Sequence, residues 1–271
     1  MRFVSFNVNS IRVRLHQLQA VIEKHSPEVI GLQETKVTDE QFPVDEVNDL
    51  GYHVEFHGQK THYGVALLSK KDPIDVIKGF SGDDESSQPR FIKCDFKLKD
   101  NRLLSVINCY FPQGESRSHA VKFPAKEKFY ADLQAFVEEQ YTPKANLIIM
   151  GDMNVAPVDN DIGIGEDSTK RWLRDGKTSF LPEEREWPTK LTNWGMIDTY
   201  RSHYPDVDDR FSWFDYRSRG FEREPKRGLR IDLILASDGI KHLSKDAGID
   251  YDIRGITKPS DHCPIWSDIE L

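Results

Sequence analysis

Short apolar runs alternate with polar segments along the whole chain, and eight of these runs predict β-strands. Several of them are apolar at nearly every position, which is typical of central strands that are covered on both faces. The eight predicted strands cover residues 2–6, 29–32, 63–69, 91–96, 103–109, 147–150, 231–235 and 263–266.

Three other segments carry apolar residues at helical spacing. In the first, the pattern repeats at Ile11, Leu15, Leu18 and Ile22, and Ser10 is placed to cap the start of the helix. The second helix is predicted around residues 129–137, and the third over residues 183–194. Helices and strands are intermixed without a linker, a repeat or a low-complexity tract. We therefore expect one α/β domain over residues 1–271.

Four polar clusters lie at the ends of apolar runs. Carboxylate and amide oxygens are the ligands of a hard cation, and histidine is the usual side chain for acid–base work near neutral pH. The pattern therefore indicates a metal-assisted reaction at strand ends. The four clusters are Ser5-Phe6-Asn7-Val8-Asn9, Leu32-Gln33-Glu34-Thr35, Ile149-Met150-Gly151-Asp152-Met153-Asn154 and Pro259-Ser260-Asp261-His262.

Each of these clusters has an ordinary structural interpretation as well. Glu34 is either a metal ligand or a surface carboxylate that caps the next segment. Asp152 and Asn154 project from the same side of the chain, so they hold a cation or a phosphate oxygen, or they form an Asx-turn at the strand end. A lone histidine such as His262 is usually structural, but Asp232 or Asp261 could orient its imidazole.

Composition restricts the classes of protein and of binding partner that fit the sequence. The net charge of −8 argues mildly against a nucleic-acid partner, but two basic groups stand out, at 170–177 and 217–230. They form either a local basic face or ordinary solvated surface. The three cysteines lack metal-type spacing, which favours reduced thiols in a cytoplasmic protein. No apolar stretch is long enough to span a bilayer, and no nucleophile elbow, Walker loop or dinucleotide fingerprint occurs.

Eight ordered motifs resemble the exonuclease III family of abasic-site endonucleases, within the endonuclease/exonuclease/phosphatase superfamily. The resemblance covers essentially the whole chain. The motifs are Phe6-Asn7-Val8-Asn9, Gly31-Leu32-Gln33-Glu34-Thr35-Lys36, His62-Tyr63-Gly64-Val65-Ala66, Tyr110-Phe111-Pro112-Gln113-Gly114, Gly151-Asp152-Met153-Asn154, Phe211-Ser212-Trp213-Phe214-Asp215-Tyr216-Arg217, Arg230-Ile231-Asp232-Leu233-Ile234-Leu235-Ala236-Ser237 and Ser260-Asp261-His262.

This resemblance implies a four-layer α/β sandwich, in which two face-to-face mixed β-sheets are flanked by helices, as in DNase I-like folds. It implies a nuclease that acts on double-stranded DNA and uses Mg²⁺, or Mn²⁺ as a substitute, with one or two ions. The implied activities are incision 5′ to abasic sites, 3′-to-5′ exonuclease action, and removal of 3′-phosphates and other 3′ blocks. Monomer is the default expectation, and the DNA substrate would place the enzyme at the nucleoid.

The resemblance also implies roles for individual residues. Glu34 matches the principal metal ligand, with Asn7 beside it. Asp152, Asn154 and Asp261 carry weaker metal assignments. Among the catalytic positions, Asp152 matches the residue that positions or deprotonates water, and Asn154 would stabilise the transition state. Tyr110 would contact the scissile phosphate, and His262, held by Asp232, would bind the phosphate as its charge develops.

The implied DNA contacts come from aromatic and basic positions. The pocket for a flipped abasic sugar would be lined by Trp213, Phe214 and Leu229, although Trp213 also fits core packing. The remaining backbone contacts would be made by Arg90, Gln113, Lys122 and Arg217. Loop 217–230 is slightly longer than the family pattern. Phosphatases of inositol phosphates or lipids share the catalytic motifs and remain the alternative function.

Overall fold

The computed structural model describes all 271 residues. The twelve strands, β1 to β12, are Arg2–Asn7, Val29–Gln33, His53–His57, Val65–Ser69, Asp75–Lys78, Phe91–Lys97, Leu103–Tyr110, Leu147–Asp152, Met196–Asp198, Asp232–Ser237, Ser244–Ile249 and Ile265–Ile269. The seven α-helices, α1 to α7, are Leu15–His25, Val44–Asp49, Lys122–Gln140, Glu166–Arg174, Pro182–Trp194, Thr199–His203 and Tyr251–Arg254. None of the helices is both long and apolar enough to cross a membrane.

The strands form two mixed six-stranded sheets. One sheet has the order β11-β12-β1-β2-β4-β3, and the other has the order β5-β6-β7-β8-β10-β9. Within them, β1 pairs in parallel with β2, and β7 pairs in parallel with β8. The first sheet therefore joins the first and last strands of the chain through the antiparallel β1–β12 pair.

Three hydrophobic cores separate four layers. The core between the sheets contains Phe3, Ile92, Val106 and Ile148. A second core packs α3 and α5 on the outer face of the second sheet, and a third packs α1 and α2 on the outer face of the first sheet. Because each sheet is covered on both faces, the central strands are apolar at nearly every position. The expected four-layer α/β sandwich is confirmed.

Strand register places three polar side chains at one end of the second sheet. Asp152 pairs with Tyr110 on the parallel β7 and with Asp232 on the antiparallel β10. Residues directly opposite one another on neighbouring strands project from the same face, so all three side chains point the same way. The first sheet contributes Asn7, paired with Gln33 at the same end of the sandwich.

One helix start differs from the prediction. Ser10 does not cap an α-helix, because its φ is 89° and its side chain makes no capping hydrogen bond. Residues Ile11–Val13 form a short 3₁₀ turn, and α1 begins at Leu15. The Ser10 amide instead donates to the Glu34 carbonyl at 2.7 Å. This hydrogen bond therefore stabilises the turn that carries Glu34.

Candidate active site

Three of the predicted site residues lie together at one end of the interface between the two sheets. They are Glu34, Asp152 and His262. Each offers one ligand-type atom, and these atoms all lie within 4.8 Å of one another. Glu34 directly follows β2, Asp152 ends β8, and His262 precedes β12. The cavity above them has a volume of about 140 Å³. The strand ends thus bring together residues that are far apart in the sequence.

The carboxylate of Glu34 is held from two sides. The backbone has a φ of 54°, a left-handed conformation that non-glycine residues seldom adopt outside constrained sites. Oε1 accepts a hydrogen bond from Asn7 Nδ2 at 2.9 Å, and Oε2 pairs with Lys36 Nζ at 2.8 Å. Burial would raise the pKa of Glu34, but Lys36 and Asn7 outweigh it and lower the pKa. The carboxylate is therefore ionised and fixed in direction.

Two further predicted metal ligands, Asn7 and Asp261, are engaged with other groups. Asn7 Nδ2 also donates to Asp152 Oδ2 at 3.0 Å, so the amide turns its nitrogen, not its oxygen, towards the carboxylates. Asp261 accepts from Asn9 Nδ2 at 2.9 Å and from Trp213 Nε1 at 3.1 Å. In this arrangement both residues position their neighbours, and Asp261 is not part of the three-residue cluster.

Asp232 fixes the orientation of His262. The imidazole Nδ1 lies 2.9 Å and 3.1 Å from the two Asp232 carboxylate oxygens, and a carboxylate only accepts, so Nδ1 carries a proton. The Asp232 amide in turn donates to Ser212 Oγ at 3.0 Å. The His262 amide donates to Ser260 Oγ at 3.2 Å. Nε2 is left facing the cavity, 3.8 Å from Asp152 Oδ2.

The electrostatics of the site favour a cationic His262. Burial would lower the pKa of His262, but the carboxylates of Asp232 and Asp152 outweigh it and raise the pKa. Burial also raises the pKa of Asp152, against the opposing effect of His262. Carboxylate oxygens are the ligands that a hard divalent cation prefers, so Glu34 and Asp152 are the donors of the cluster that best fit such an ion.

Asn154 is held by backbone and side-chain contacts around it. Its φ is 52°, and its amide donates to Asp152 Oδ1 at 3.0 Å. Its Nδ2 donates to the Phe111 carbonyl at 2.9 Å. Behind it, Lys126 Nζ donates to the Asn154 carbonyl at 2.8 Å and pairs with Glu184, and neither of these two charged side chains has any exposed surface. The turn after β8 is thus anchored to α3 and α5.

Tyr110 reaches the cavity from the end of β7, and Arg90 supports it. The Arg90 guanidinium lies 4.1 Å from the Tyr63 ring centre and 4.5 Å from that of Tyr110, and it donates to the Tyr110 carbonyl. Burial raises the pKa of Tyr110, and Glu34 and Asp152 raise it further. The phenol therefore remains a hydrogen-bond donor. Arg90 is 7% exposed, so it lies behind Tyr110 rather than on the surface.

A second, larger cavity of about 370 Å³ adjoins the first. Trp172 and Trp213 line both cavities and form the boundary between them. The second cavity brings together the two basic groups that the sequence singled out. Its cationic side chains are Arg171 and Lys177 from the α4 region, and Arg223 and Arg227 from loop 217–230. Arg227 is fixed by the Ile164 carbonyl and Ser168.

The other predicted DNA contacts are distributed unevenly around the two cavities. Gln113 lines the catalytic cavity and donates to Thr178. Lys122 is exposed and pairs with Glu115 at 2.5 Å, and Arg217 is exposed. In contrast, Phe214 and Leu229 are 0% and 1% exposed and do not line the catalytic cavity.

Both of these buried side chains pack against other residues in small hydrophobic clusters. Phe214 packs with Phe211 and Cys263, and Leu229 packs with Ala156 and Phe180. Their predicted contact with a flipped sugar is therefore not available in this conformation, because other side chains cover them.

Sequence reasoning gave no role to three residues that the site uses, although two of them lie within the quoted motifs. Lys36 neutralises Glu34, and its position two residues further along the chain was a signal. Asn9 holds both Asp261 and Lys36. Trp172 separates the two cavities, and it lies within a basic group that was noted only for its charge. None of them is part of an apolar periodicity.

Comparison with known proteins identifies the family of the chain. The model of the Endonuclease/Exonuclease/phosphatase family matches residues 4–262. The chain belongs to this family. Within the endonuclease/exonuclease/phosphatase family, the chain is 55% identical over 270 residues to Exodeoxyribonuclease III of Haemophilus influenzae, with 100% of both chains covered.

Solved structures of the same family share the fold. The 3′ phosphatase NExo from Neisseria, bound to a product DNA hairpin, superposes with a TM-score of 0.89 at 32% identity. An AP endonuclease from Archaeoglobus fulgidus also gives a TM-score of 0.89, at 30% identity. In both cases 100% of each chain is covered. The sandwich is therefore the fold of the endonuclease/exonuclease/phosphatase family.

Proposed function

We propose that this chain is a DNA-repair nuclease that hydrolyses phosphodiesters of duplex DNA with a divalent metal. Its activities would be incision 5′ to abasic sites, 3′-to-5′ exonuclease action and 3′-phosphatase or 3′-repair diesterase action. The observation that carries the proposal is the pair of adjoining cavities, one with the carboxylate–histidine cluster and one lined by four cations. The proposal treats residues 1–271 as one domain that works as a monomer.

Glu34 and Asp152 would hold the metal, for which we propose Mg²⁺, with Mn²⁺ as a substitute. Bound there, such an ion neutralises charge on the phosphate and the leaving oxygen. Asp152 lines the cavity beside His262, and we assign to it the positioning of the attacking water and the acceptance of its proton.

Three donors surround the position of the phosphate. His262 presents an Nε2 proton in its cationic form, which the carboxylates of Asp232 and Asp152 favour, while Nδ1 donates to Asp232. Tyr110 presents its phenol, and Asn154 lines the same cavity. Fixed donors in a buried site stabilise charge that develops on the phosphate oxygens, and loss of one such donor typically costs about 10²–10³ in rate.

The size of the catalytic cavity supports selection of an abasic sugar. A volume of about 140 Å³ is well below the ~300–1,000 Å³ of pockets that enclose whole drug-sized ligands. A small cavity favours a sugar without its base over a full nucleoside. Extrusion of an abasic sugar also costs less, because no base has to be unstacked.

The basic cavity supports an extended polyanion as the substrate. Neutralisation of successive phosphates is the main source of affinity for DNA, and aromatic rings beside cations suit exposed nucleotides. Here the cations continue away from the catalytic cluster, beyond Trp172 and Trp213. A monophosphate would leave this second cavity empty.

The decisive experiment is cleavage of a labelled duplex that contains one tetrahydrofuran abasic analogue, with Mg²⁺ or with EDTA. Digestion of an undamaged blunt duplex, measured in parallel, gives the exonuclease activity for comparison. We expect Mg²⁺-dependent incision directly 5′ to the analogue, and no incision in EDTA. Release of phosphate from inositol polyphosphates without cleavage of either duplex would instead support the phosphatase alternative.

The metal assignment is tested with Glu34→Gln, which keeps the size of the side chain but removes its charge. We expect loss of incision, with partial recovery at high Mn²⁺ concentration. Asp208→Asn is the matched control, because Asp208 is exposed and lies outside both cavities. Equal activity of Glu34→Gln and the parent would refute the assignment.

A further inference from the structure

The inter-sheet core has a second open end, opposite the candidate active site. A cavity of about 410 Å³ lies there, where β2 begins and β4 and β6 end. Its floor includes Val29, Phe96 and Leu98, which belong to the inter-sheet core and are 2%, 4% and 8% exposed. At ~3.3 Å per residue, the six residues of β1 separate this end from the catalytic end by roughly 20 Å.

Lysine side chains surround this apolar floor. None of the four forms an ion pair with a carboxylate, and Lys70 donates only to the Ser26 carbonyl, at 2.7 Å. Glu28 is the one acidic side chain in the lining, and its Oε2 accepts from the Arg2 amide. In a chain of net charge −8, this is a local excess of positive charge. The four exposed lysines are Lys70, Lys71, Lys97 and Lys99.

An apolar floor inside a ring of cations selects a particular kind of ligand. Apolar side chains gain by leaving water for the floor, and carboxylates gain from the rim. A nucleic-acid strand matches the rim but not the floor. Its bases need exposed aromatic faces to stack on, and the only aromatic residue in the lining, Phe96, is buried.

We propose that this cavity, the lysine-rimmed cavity, docks an acidic peptide segment of a partner protein that carries bulky apolar side chains. The apolar residues enter between the sheet ends, and the neighbouring carboxylates pair with the lysines. The charge complementarity is confined to this face and to the basic cavity beside the catalytic cluster, because the rest of an acidic chain repels such a segment. The proposal is independent of the chemistry at the other end of the molecule.

The cavity lies at the opposite end of the sandwich from the candidate active site. Both ends of the sandwich are accessible at once, so a partner held at the lysine rim leaves the catalytic cavity open. Tethering of this kind raises the effective concentration of one ligand near the other without new contacts between them. A partner that is itself bound to DNA would deliver the enzyme to that DNA.

The test is fluorescence anisotropy with a labelled peptide that has a run of aspartates followed by Leu-Phe. One comparison peptide has asparagines in place of the aspartates, and another has Ser-Gly in place of Leu-Phe. The variant is Lys97→Glu/Lys99→Glu, which changes only exposed side chains. The control is Lys190→Glu, which reverses an exposed lysine of α5 that has no carboxylate partner.

We expect saturable binding of the acidic apolar peptide, weaker binding of both comparison peptides, and a loss of about tenfold in affinity for the double variant. Lys190→Glu should bind as the parent does, and a metal-free duplex should not displace the peptide. Cleavage of naked DNA should be the same in all three proteins. Equal affinity of parent and double variant, equal binding of the asparagine peptide, or displacement by duplex would each overturn the proposal.

Discussion

At the scale of single residues, the site depends on side chains that do not touch the substrate. Asp232 determines which imidazole nitrogen of His262 faces the cavity, and Lys36 neutralises the carboxylate of Glu34. Both act through hydrogen bonds of 2.9 Å or less. Such supporting contacts hold reacting groups in position before the substrate arrives.

Asp232→Asn tests this support. An asparagine keeps the size of the side chain but cannot stabilise the imidazolium, so we expect the rate of incision to fall about 10²–10⁴-fold. The KM for DNA should change little, because Asp232 is buried and makes no contact with solvent or DNA. Single-turnover kinetics on an abasic duplex separate the two effects. A purely structural role would instead lower the melting temperature and leave the pH profile of the remaining activity unchanged.

At the scale of elements, strand ends and helix contacts place the site. The sequence predicted the eight inner strands from their apolar runs, and several of these strands are apolar on both faces. It did not predict β3, β5, β9 and β11, and these are the four edge strands of the two sheets. Edge strands are polar on their exposed sides, as Ser244–Ile249 illustrates, so their periodicity is weak. These edge strands are defined by their register and their long-range contacts. The pattern of residues along the sequence contains neither kind of information.

The same limit applies to the candidate site. The four polar clusters were recognisable because each follows or precedes an apolar run. The burial of Phe214 was not recognisable, because it depends on packing against Phe211 and Cys263. The meeting of the two basic groups around one cavity was equally hidden, since α4 and loop 217–230 are distant in sequence.

The buried pair of Lys126 and Glu184 connects α3 to α5 behind the catalytic turn. Lys126→Met would leave the Glu184 carboxylate buried without a cation, which typically costs about 3–5 kcal/mol. We expect a matching drop in the free energy of unfolding in urea. The double variant Lys126→Met/Glu184→Gln should recover part of it, because glutamine can still accept from the amides of Ser179 and Leu181. Additive losses in the double variant would contradict the pairing.

Asp250 links α1 to α7 and makes stability depend on pH. Although burial would raise its pKa, hydrogen bonds from His25, the Ile253 amide and Lys24 lower the pKa of Asp250. A lowered folded-state pKa stabilises the fold above the unfolded pKa of about 4, and this contribution is lost as pH falls through the folded pKa.

Asp250→Asn should therefore reduce the free energy of unfolding near neutral pH by roughly 1–3 kcal/mol. The gap between variant and parent should narrow in acid, as measured by urea unfolding across pH. Asp252→Asn is the control, since the Asp252 side chain is 88% exposed and also pairs with Lys24. A gap that stays constant with pH would exclude the ionised carboxylate as the cause.

At the scale of the whole molecule, charge is segregated on an acidic body. The four cations around the second cavity lie beside the catalytic cluster, and the lysine-rimmed cavity lies at the other end of the interface between the two sheets. The net charge of −8 therefore describes neither face. Binding of DNA depends on the local field, and salt screens that field.

Arg171→Gln tests the basic cavity. The slope of log affinity against log salt concentration is negative. Removal of one phosphate contact should reduce its magnitude by about 0.9, so that binding depends less steeply on salt. The measurement is binding to an abasic duplex in EDTA over a series of salt concentrations. Lys190→Gln, on the outer face of α5, should keep the parental slope. If both variants keep it, Arg171 does not contact DNA.

The pairing of β1 with β12 also has a consequence during protein synthesis. A nascent chain presents Glu34 and Asp152 on the ribosome well before it contains His262, and β1 has no neighbour on one side until β12 is made. The carboxylates are then present without the imidazole that completes the site. We therefore expect an unfinished chain to be inactive towards DNA, with nuclease activity beginning only when the last strand closes the sheet.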